Sequence, residues 1–401
     1  NALFTSTSAT CVTGLIVYDT FSHWSVFGQI TILTLIQIGG LGFMTIITMF
    51  SFLLKRRIGL RERRLLMESS GSPELKGVIR MIRKILYGTF LTEAVGAILL
   101  SIRFIPKMGF LKGIYNAVFH SVSAFCNAGF DLMGRFEPFS SLTLFYDDIL
   151  VNLTVCGLII VGGVGFIVWN DIFTLRTKFS KYSLHSKIVL VTTGALLLLG
   201  TVLFYIFERN GVLSDMPEYK RVLVSFFQSV TPRTAGFNTA DLSALSNSSV
   251  IIFCILMFIG GSPGSTAGGV KTTTFAVLIL SAVTSARRSS SITVFKKRLE
   301  EKTARQASAV VVTYVLALSV AIMVMCAVEP FSLKQIVFEA VSAMGTVGVT
   351  MGITPELTTT SKYIILLMYA GRIGGLTLML TLAEKRKQVA LKRPVEQVLI
   401  G

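Results

Sequence analysis

The sequence predicts an all-α polytopic membrane protein: four tandem span–pore-helix–loop–span repeats around one pseudo-fourfold pore, with the first span of repeat one absent. Composition, apolar runs and an internal repeat carry that prediction. Hydrophobic residues are 52% of the 401 and charged residues only 15%, with a mean hydropathy of +0.70. A soluble domain carries about 25% charge, so this chain is short of the polar surface needed to face water. Apolar runs cover residues 30–54, 188–207, 250–259 with 275–283, and 310–328. About 20 such residues cross a bilayer as a helix, and several of these runs reach that length.

The net charge of +17, from 38 Lys and Arg against 21 Asp and Glu, could be the footprint of a nucleic-acid binder. Its distribution argues otherwise. Most basic residues lie in four stretches, 55–84, 171–187, 285–305 and 385–393, while acids concentrate in the alternate loops. That is the positive-inside pattern. It places the four basic segments in the cytoplasm of a multi-pass membrane protein, and no nucleic acid is needed to explain the charge. Five cysteines (Cys11, Cys126, Cys156, Cys254, Cys326) and three histidines (His23, His120, His185) lack metal-ligand spacing. The chain opens at Asn1 in Ser/Thr-rich sequence, so a missing upstream span, lost or unseen, is expected.

Four segments share one pattern: Phe4-Thr-Ser-Thr-Ser-Ala-Thr-Cys-Val-Thr-Gly14, Phe119-His-Ser-Val-Ser-Ala-Phe-Cys-Asn-Ala-Gly129, Phe227-Gln-Ser-Val-Thr-Pro-Arg-Thr-Ala-Gly236 and Phe338-Glu-Ala-Val-Ser-Ala-Met-Gly-Thr-Val-Gly348. The third is one residue shorter. They recur about every 110 residues, dividing the chain into 1–54 (pore loop and second span), 55–175, 176–288 (broken second span), 289–384 and a basic cytoplasmic tail, 385–401. Stretches 112–125, 219–230 and 333–344 precede the later loops and are too short to span, so they read as re-entrant helices. A loop at membrane depth is tolerated only where it is buried in protein or lines an aqueous cavity. Four such loops around one axis would present rings of carbonyls able to replace an ion's hydration shell. Helix packing by small residues is the competing explanation, and four recurrences in matching context weigh against it.

Past the loops, Gly39-Gly-Leu-Gly-Phe43, Gly162-Gly-Val-Gly-Phe166, Gly260-Gly261 and Gly374-Gly375 form a second repeat. Paired glycines weaken a helix, so they mark a bend or a close crossing; packing alone explains them as well. The third copy continues as Gly260-Gly-Ser-Pro-Gly-Ser-Thr-Ala-Gly-Gly-Val-Lys271, which cannot hold a regular helix and is expected to be a flexible gate under the pore entrance. It is the only helix that reads as plainly broken. Its likeness to a phosphate loop fails, because Val270 intrudes before Lys271 and no strand precedes it. Arg372 lies inside an apolar segment, where a charge usually faces a cavity or a partner; for Lys271, near a span end, an interfacial position serves equally well.

Taken in order, the four loops, the glycine-paired helices and the interruption resemble the membrane subunit of the Trk/Ktr/HKT superfamily of cation transporters, most closely the bacterial Ktr-type potassium uptake subunit. The resemblance covers the chain apart from the missing span. It implies that Val12, Thr13 and Gly14, then Asn127, Ala128 and Gly129, then Thr234, Ala235 and Gly236, and finally Thr346, Val347 and Gly348 coordinate K+ in a selectivity filter. Sodium-preferring members often carry Ser at the first filter position, so Gly14 implies potassium. The resemblance also implies an intramembrane gating loop made of Gly260, Gly261, Ser262, Pro263, Gly264, Ser265, Thr266, Ala267, Gly268, Gly269 and Lys271, with Arg372 narrowing the pore beside it. It implies a homodimer on a cytosolic ring of nucleotide-binding regulatory subunits, with ATP or ADP on that partner, Na+ as an activator, no cofactor in this chain, and membrane lipid around it. The basic loops Lys55-Arg-Arg57, Arg287-Arg288 and Lys296-Lys-Arg298 and the tail would face the ring, although topology alone accounts for their charge.

Two other classes compete. A sodium- or proton-coupled secondary transporter usually shows inverted repeats, whereas these repeats all run in one direction. A membrane enzyme needs a nucleophile–base set, a metal motif or paired intramembrane carboxylates. The sequence offers none; Glu93 alone makes no dyad.

Overall fold

The structure, a computed structural model, describes residues 1–42, 78–176, 178–289 and 291–374. The basic loop at Lys55–Arg57, the tail from 385, Gly375 and most of the first run's second half lie outside the described residues.

Among the described residues three helices are long and apolar enough to span, Ile79–Met108, Leu184–Glu208 and Glu301–Val328, and a bent pair, Ile149–Val164 with Phe166–Leu175, makes a fourth if it is one span. In chain order the helices are α1 (Ala2–Thr10), α2 (Thr20–His23), α3 (Val26–Leu41), α4 (Val78–Met108), α5 (Phe110–Phe125), α6 (Ile149–Val164), α7 (Phe166–Leu175) and α8 (Leu184–Glu208). They continue as α9 (Glu218–Val230), α10 (Asn247–Phe258), α11 (Thr272–Ala286), α12 (Glu301–Val328), α13 (Leu333–Gly345) and α14 (Ile365–Ile373). A two-residue hairpin, Thr293–Val294 with Lys297–Arg298, joins α11 to α12.

Helix starts follow from local chemistry. Ser25, Asp148, Ser183 and Ser246 each accept an N–H of the first turn of α3, α6, α8 and α10, and Ser332 with Gln335 forms a full capping box on α13. The long helices keep apolar side chains exposed, among them Leu198, Leu199 and Val202 on α8 and Val312, Leu316 and Val320 on α12. That face suits hydrocarbon and not water. By contrast α9 and α13, 13 residues each, rise only about 20 Å at 1.5 Å per residue, short of the ~30 Å hydrocarbon core. As expected for re-entrant elements, α1, α5, α9 and α13 each stop inside the protein just before a repeated loop.

The packing order is cyclic. Within each repeat the long helix packs on its short one: α4 on α5, α8 on α9, α12 on α13. The helix after each loop then packs on the short helix of the next repeat: α3 on α5, α6 on α9, α10 on α13, and finally α14 on α1. This last contact closes the ring.

One expectation is corrected here. The third copy is not the only broken helix, since α6 and α7 meet at Gly165 with a bend of 97°. Gly165 has φ +100° and Gly42 and Gly374, which end α3 and α14, have φ +84° and +89°, a backbone setting that glycine adopts without steric cost. The repeat in the fourth copy is likewise not the pair Gly374-Gly375. It is Gly371 and Gly374, in register with Gly39 and Gly42 and with Gly162 and Gly165, so Arg372 stands where the first two copies have Gly40 and Gly163.

Candidate functional site

The twelve residues 12–14, 127–129, 234–236 and 346–348 lie at the C-terminal ends of the four short helices and meet around the axis. Their backbones repeat one unusual pattern. Val12, Asn127, Thr234 and Thr346 have φ of +57°, +58°, +70° and +52°, and the glycines two places on have φ of +93°, +70°, +84° and +90°. The residue between keeps negative φ. In a plain strand successive carbonyls point to opposite sides; alternating the hand of the backbone turns them toward one side, the requirement for a carbonyl-lined ion path. Left-handed φ costs a non-glycine residue about 1–2 kcal/mol, so four such residues at matched positions mark a site and not chance.

The glycines touch in sequence round the ring. A methyl group on Gly129 would lie 2.7 Å from Gly236 Cα, one on Gly236 2.7 Å from the Val347 carbonyl oxygen, and one on Gly348 2.8 Å from Gly14 Cα. A methyl on Gly14 would strike the Ala128 carbonyl oxygen. No side chain fits at any of the four. A second set of glycines sets the distance of the surrounding helices: a methyl on Gly39, Gly162 or Gly371 would collide with the carbonyl of Thr10, Phe125 or Met344, the equivalent residue four places before each ring glycine.

A hydroxyl on each short helix holds its loop. Ser8 Oγ accepts from Gly14 N at 3.0 Å and Ser342 Oγ from Gly348 N at 3.1 Å. Ser123 Oγ donates to the Phe130 carbonyl at 2.7 Å, and Thr231 Oγ1 donates to that of Phe237. These four residues were not among the sequence candidates, yet all occupy the same place in the repeat, five or six residues before its glycine. The third loop's missing residue is visible too: Ala235 N bonds four residues back, to Thr231 O, whereas Thr13, Ala128 and Val347 bond five back.

Outside the ring lies a cavity of about 310 Å³ bordered by Gly14, Gly129, Gly236 and Gly348 and by Asp131, Asn238, Asp241 and Thr350. Burial pushes the Asp131 carboxyl up to about 7; the neighbouring Asp19 charge adds to that, and the Met133 N–H opposes it. Beneath the ring, the negative ends of four helix dipoles converge.

Directly under the ring lies the segment from Gly260 to Lys271. Ile259 and Val270 form a parallel bridge that closes it into a loop. Ser262 N and Thr266 N donate to Gly163 O and Gly162 O, and Phe166 N returns a bond to Gly264 O at 2.8 Å. Thr266 Oγ1 contacts Phe125 O at 3.2 Å and Asn127 Oδ1 at 3.1 Å, while a methyl on Gly268 would strike the Thr346 side chain. Gly269 N reaches Gly371 O, and Ser262 Oγ meets Thr272 Oγ1 across the loop base at 3.1 Å. Pro263, Gly264 and Ser265 are only half-buried; Gly260, Gly261, Ala267 and Gly268 are buried. Lys271 caps α11 and donates to Ala267 O at 2.7 Å, inside the loop itself. Arg372 donates to Thr266 O from one nitrogen and to Gly39 O and Gly40 O from another. Every sequence-predicted site residue therefore falls in one column: cavity, ring, loop and arginine.

Residues 1–392 match the family model TrkH, a cation transport protein. Over its full length the chain is 41% identical to the potassium/sodium uptake protein NtpJ of Enterococcus hirae and 40% identical to the Ktr system potassium uptake protein B of Bacillus subtilis, covering 89% of each. The solved potassium transporter TrkH of Vibrio parahaemolyticus superposes with a TM-score of 0.76 over 95% of this chain and 78% of that one, at 18% identity, which establishes the shared fold. The chain is a multi-pass membrane protein and belongs to the TrkH family of cation transport proteins.

Proposed function

We propose that this chain takes up potassium through the ring of loops acting as a channel-like selectivity filter, in a bacterial plasma membrane with the basic segments inside. The observation that supports this most is the fourfold alternation of backbone hand at 12–14, 127–129, 234–236 and 346–348, which aims carbonyls at one axis. In this reading K+ enters from the cavity at Asp131, exchanges water for carbonyls, and is stopped by the loop at 260–271 until that loop moves. The relatives' names as potassium uptake proteins support the ion. A homodimer controlled by a cytosolic nucleotide-binding ring, with ATP or ADP on the ring and Na+ as activator, completes the proposal. These partners rest on the family resemblance.

The test is ion flux into proteoliposomes holding the full chain, first under a K+ gradient and then under Na+. Passive, K+-preferring flux is expected. Flux that appears only when Na+ or H+ runs down its own gradient would replace this reading with a coupled transporter. The relative named a potassium/sodium uptake protein makes sodium the first ion to try.

A further inference from the structure

One position in the repeat has no role in the account so far. The residue after the conserved-pattern phenylalanine on each short helix is Thr5, His120, Gln228 and Glu339. All four are polar and buried, at 3%, 0%, 0% and 0% exposure, a costly choice for a helix packed in a membrane protein. Three of them reach the same target: the segment two to six residues beyond the ring glycine, where the chain turns back outward. His120 Nε2 accepts from Leu132 N at 3.4 Å, with Nδ1 on Asn116 O at 2.7 Å fixing the tautomer. The Gln228 amide, oriented by its network, accepts from Thr239 N and Ala240 N at 3.2 and 3.1 Å. Glu339 accepts from Thr350 Oγ1 at 2.8 Å and from Thr354 Oγ1. In the first repeat Thr5 Oγ1 finds no such bond.

We propose that this position is a belt of positioning residues that fixes the outer ends of the second, third and fourth filter strands, and that Glu339 is the member on which cation discrimination depends most. The inference deepens the filter reading and rests on it. Its logic is mechanical. Each ring strand is anchored at its inner end by the short helix that leads into it, and near its glycine by a serine or threonine hydroxyl. The belt ties the far side from the short helix itself, beside local bonds such as Asn238 N to Ser141 Oγ, so it helps to set how much the ring can widen or collapse around an ion. Glu339 differs from the rest in kind. Each of its two carboxyl oxygens bonds a threonine hydroxyl, so it is the member that ties two side chains at once. It is also the member whose partner, Thr350, borders the outer cavity two residues past Gly348. His120 and Gln228 grip backbone N–H groups, while Glu339 grips side chains, one of which, Thr350, in turn accepts from Gly352 N at 3.0 Å.

The experiment measures tracer uptake into proteoliposomes with K+ and Na+ as competitors, for the full chain and the variants Glu339→Ala, Thr350→Val, the double variant and Thr350→Ser. Thr350→Val is expected to lower the K+-over-Na+ preference about tenfold, the upper end of one hydrogen bond's net worth, and Glu339→Ala, which also loses the Thr354 bond, by at least as much. The double variant should be no worse than Glu339→Ala, because that substitution already removes the Thr350 tie, and Thr350→Ser should retain the native ratio. A role in folding alone would lower total uptake and leave the ratio unchanged. If Glu339→Ala does not fold, Thr350→Val decides, since it leaves the carboxyl bonded to Thr354. Preserved discrimination in Thr350→Val, within twofold, overturns the belt while leaving the filter standing. A native chain that shows no preference between the ions removes the filter reading itself.

Discussion

Arg372 of the last helix donates hydrogen bonds to Thr266 of the third repeat's loop and to Gly39 and Gly40 of the first repeat's helix. One guanidinium thereby ties three repeats together under the ring. In the proposed function it also puts a fixed positive charge beside the cation path, and both effects would favour the blocked state. The register found in the structure gives the reason this residue is unusual: it replaces a glycine position, so its side chain enters space that the other copies leave to backbone.

Replacing Arg372 with Ala should therefore raise passive flux in the absence of any regulatory partner, by roughly tenfold or more, because its one bond to the loop, to Thr266 O, is charge-assisted and worth about 1.5–3 kcal/mol. Patch recording or tracer flux on the purified variant checks this. Unchanged flux would mean that the loop is held by its other contacts.

Deleting Ser262 to Gly268 should raise flux further than Arg372→Ala does. It removes the bonds to Gly162, Gly163 and Phe125 along with the obstruction. Flux that stays at the native level in the deletion variant, with the protein still monodisperse, would show that the loop is not the gate.

Gly348→Ser should cost both stability and selectivity. Its φ of +90° and the 2.8 Å approach of a β-carbon to Gly14 Cα force the strand outward, at about 1–3 kcal/mol of strain. A widened ring coordinates K+ poorly, so the K+-to-Na+ permeability ratio should fall and Tm should drop. A native ratio in this variant would overturn the filter assignment.

The Asp131 carboxyl, raised by burial to about 7, makes uptake dependent on external pH. Below that value it is neutral and the outer cavity loses a negative charge, so uptake at low K+ should fall as external pH drops from 8 to 6. Asp131→Asn should flatten the profile. The stability argument runs in the opposite direction. A carboxyl with a folded value above its ordinary 3.8 stabilises the fold fully at pH below about 4, and that contribution is lost as pH rises through about 7. Asp131→Asn should then raise Tm at pH 8 and change it little at pH 4.

Much of this was legible in the residues. The half-length helices fall within two residues of the stretches read as too short to span, because their limits are set by length and by the turn-forming loop that follows. The loop at 260–271 announced itself by composition. The break at Gly165 was half legible: Gly162-Gly-Val-Gly165 marks a bend or a close crossing in the sequence, but packing alone explains the paired glycines as well. Only the three-residue glycine spacing, shared by 39/42, 162/165 and 371/374, could have revealed it. The hydroxyl at Ser8, Ser123, Thr231 and Ser342 was in plain view inside the repeat, but a serine that holds a loop looks the same in sequence as one that merely sits on a helix. His120 and Glu339 were harder still, because chemically different side chains occupy one equivalent position and no simple motif joins them.

The cyclic packing places a seam between the first repeat and the fourth. Gly348 abuts Gly14, α14 lies on α1, and Lys362 Nζ bonds Asn1 Oδ1 at 3.1 Å. During synthesis the first three repeats can dock in turn as they emerge, each short helix meeting a neighbour already made. The first one cannot: α1 waits for a partner translated more than 350 residues later. A ribosome that stops short leaves three arcs with an open slot at membrane depth, two unpaired loop edges, and no ion site. Truncated chains should consequently be recognised and degraded as incomplete, and in the proposed function it is the arrival of the fourth repeat that completes the filter.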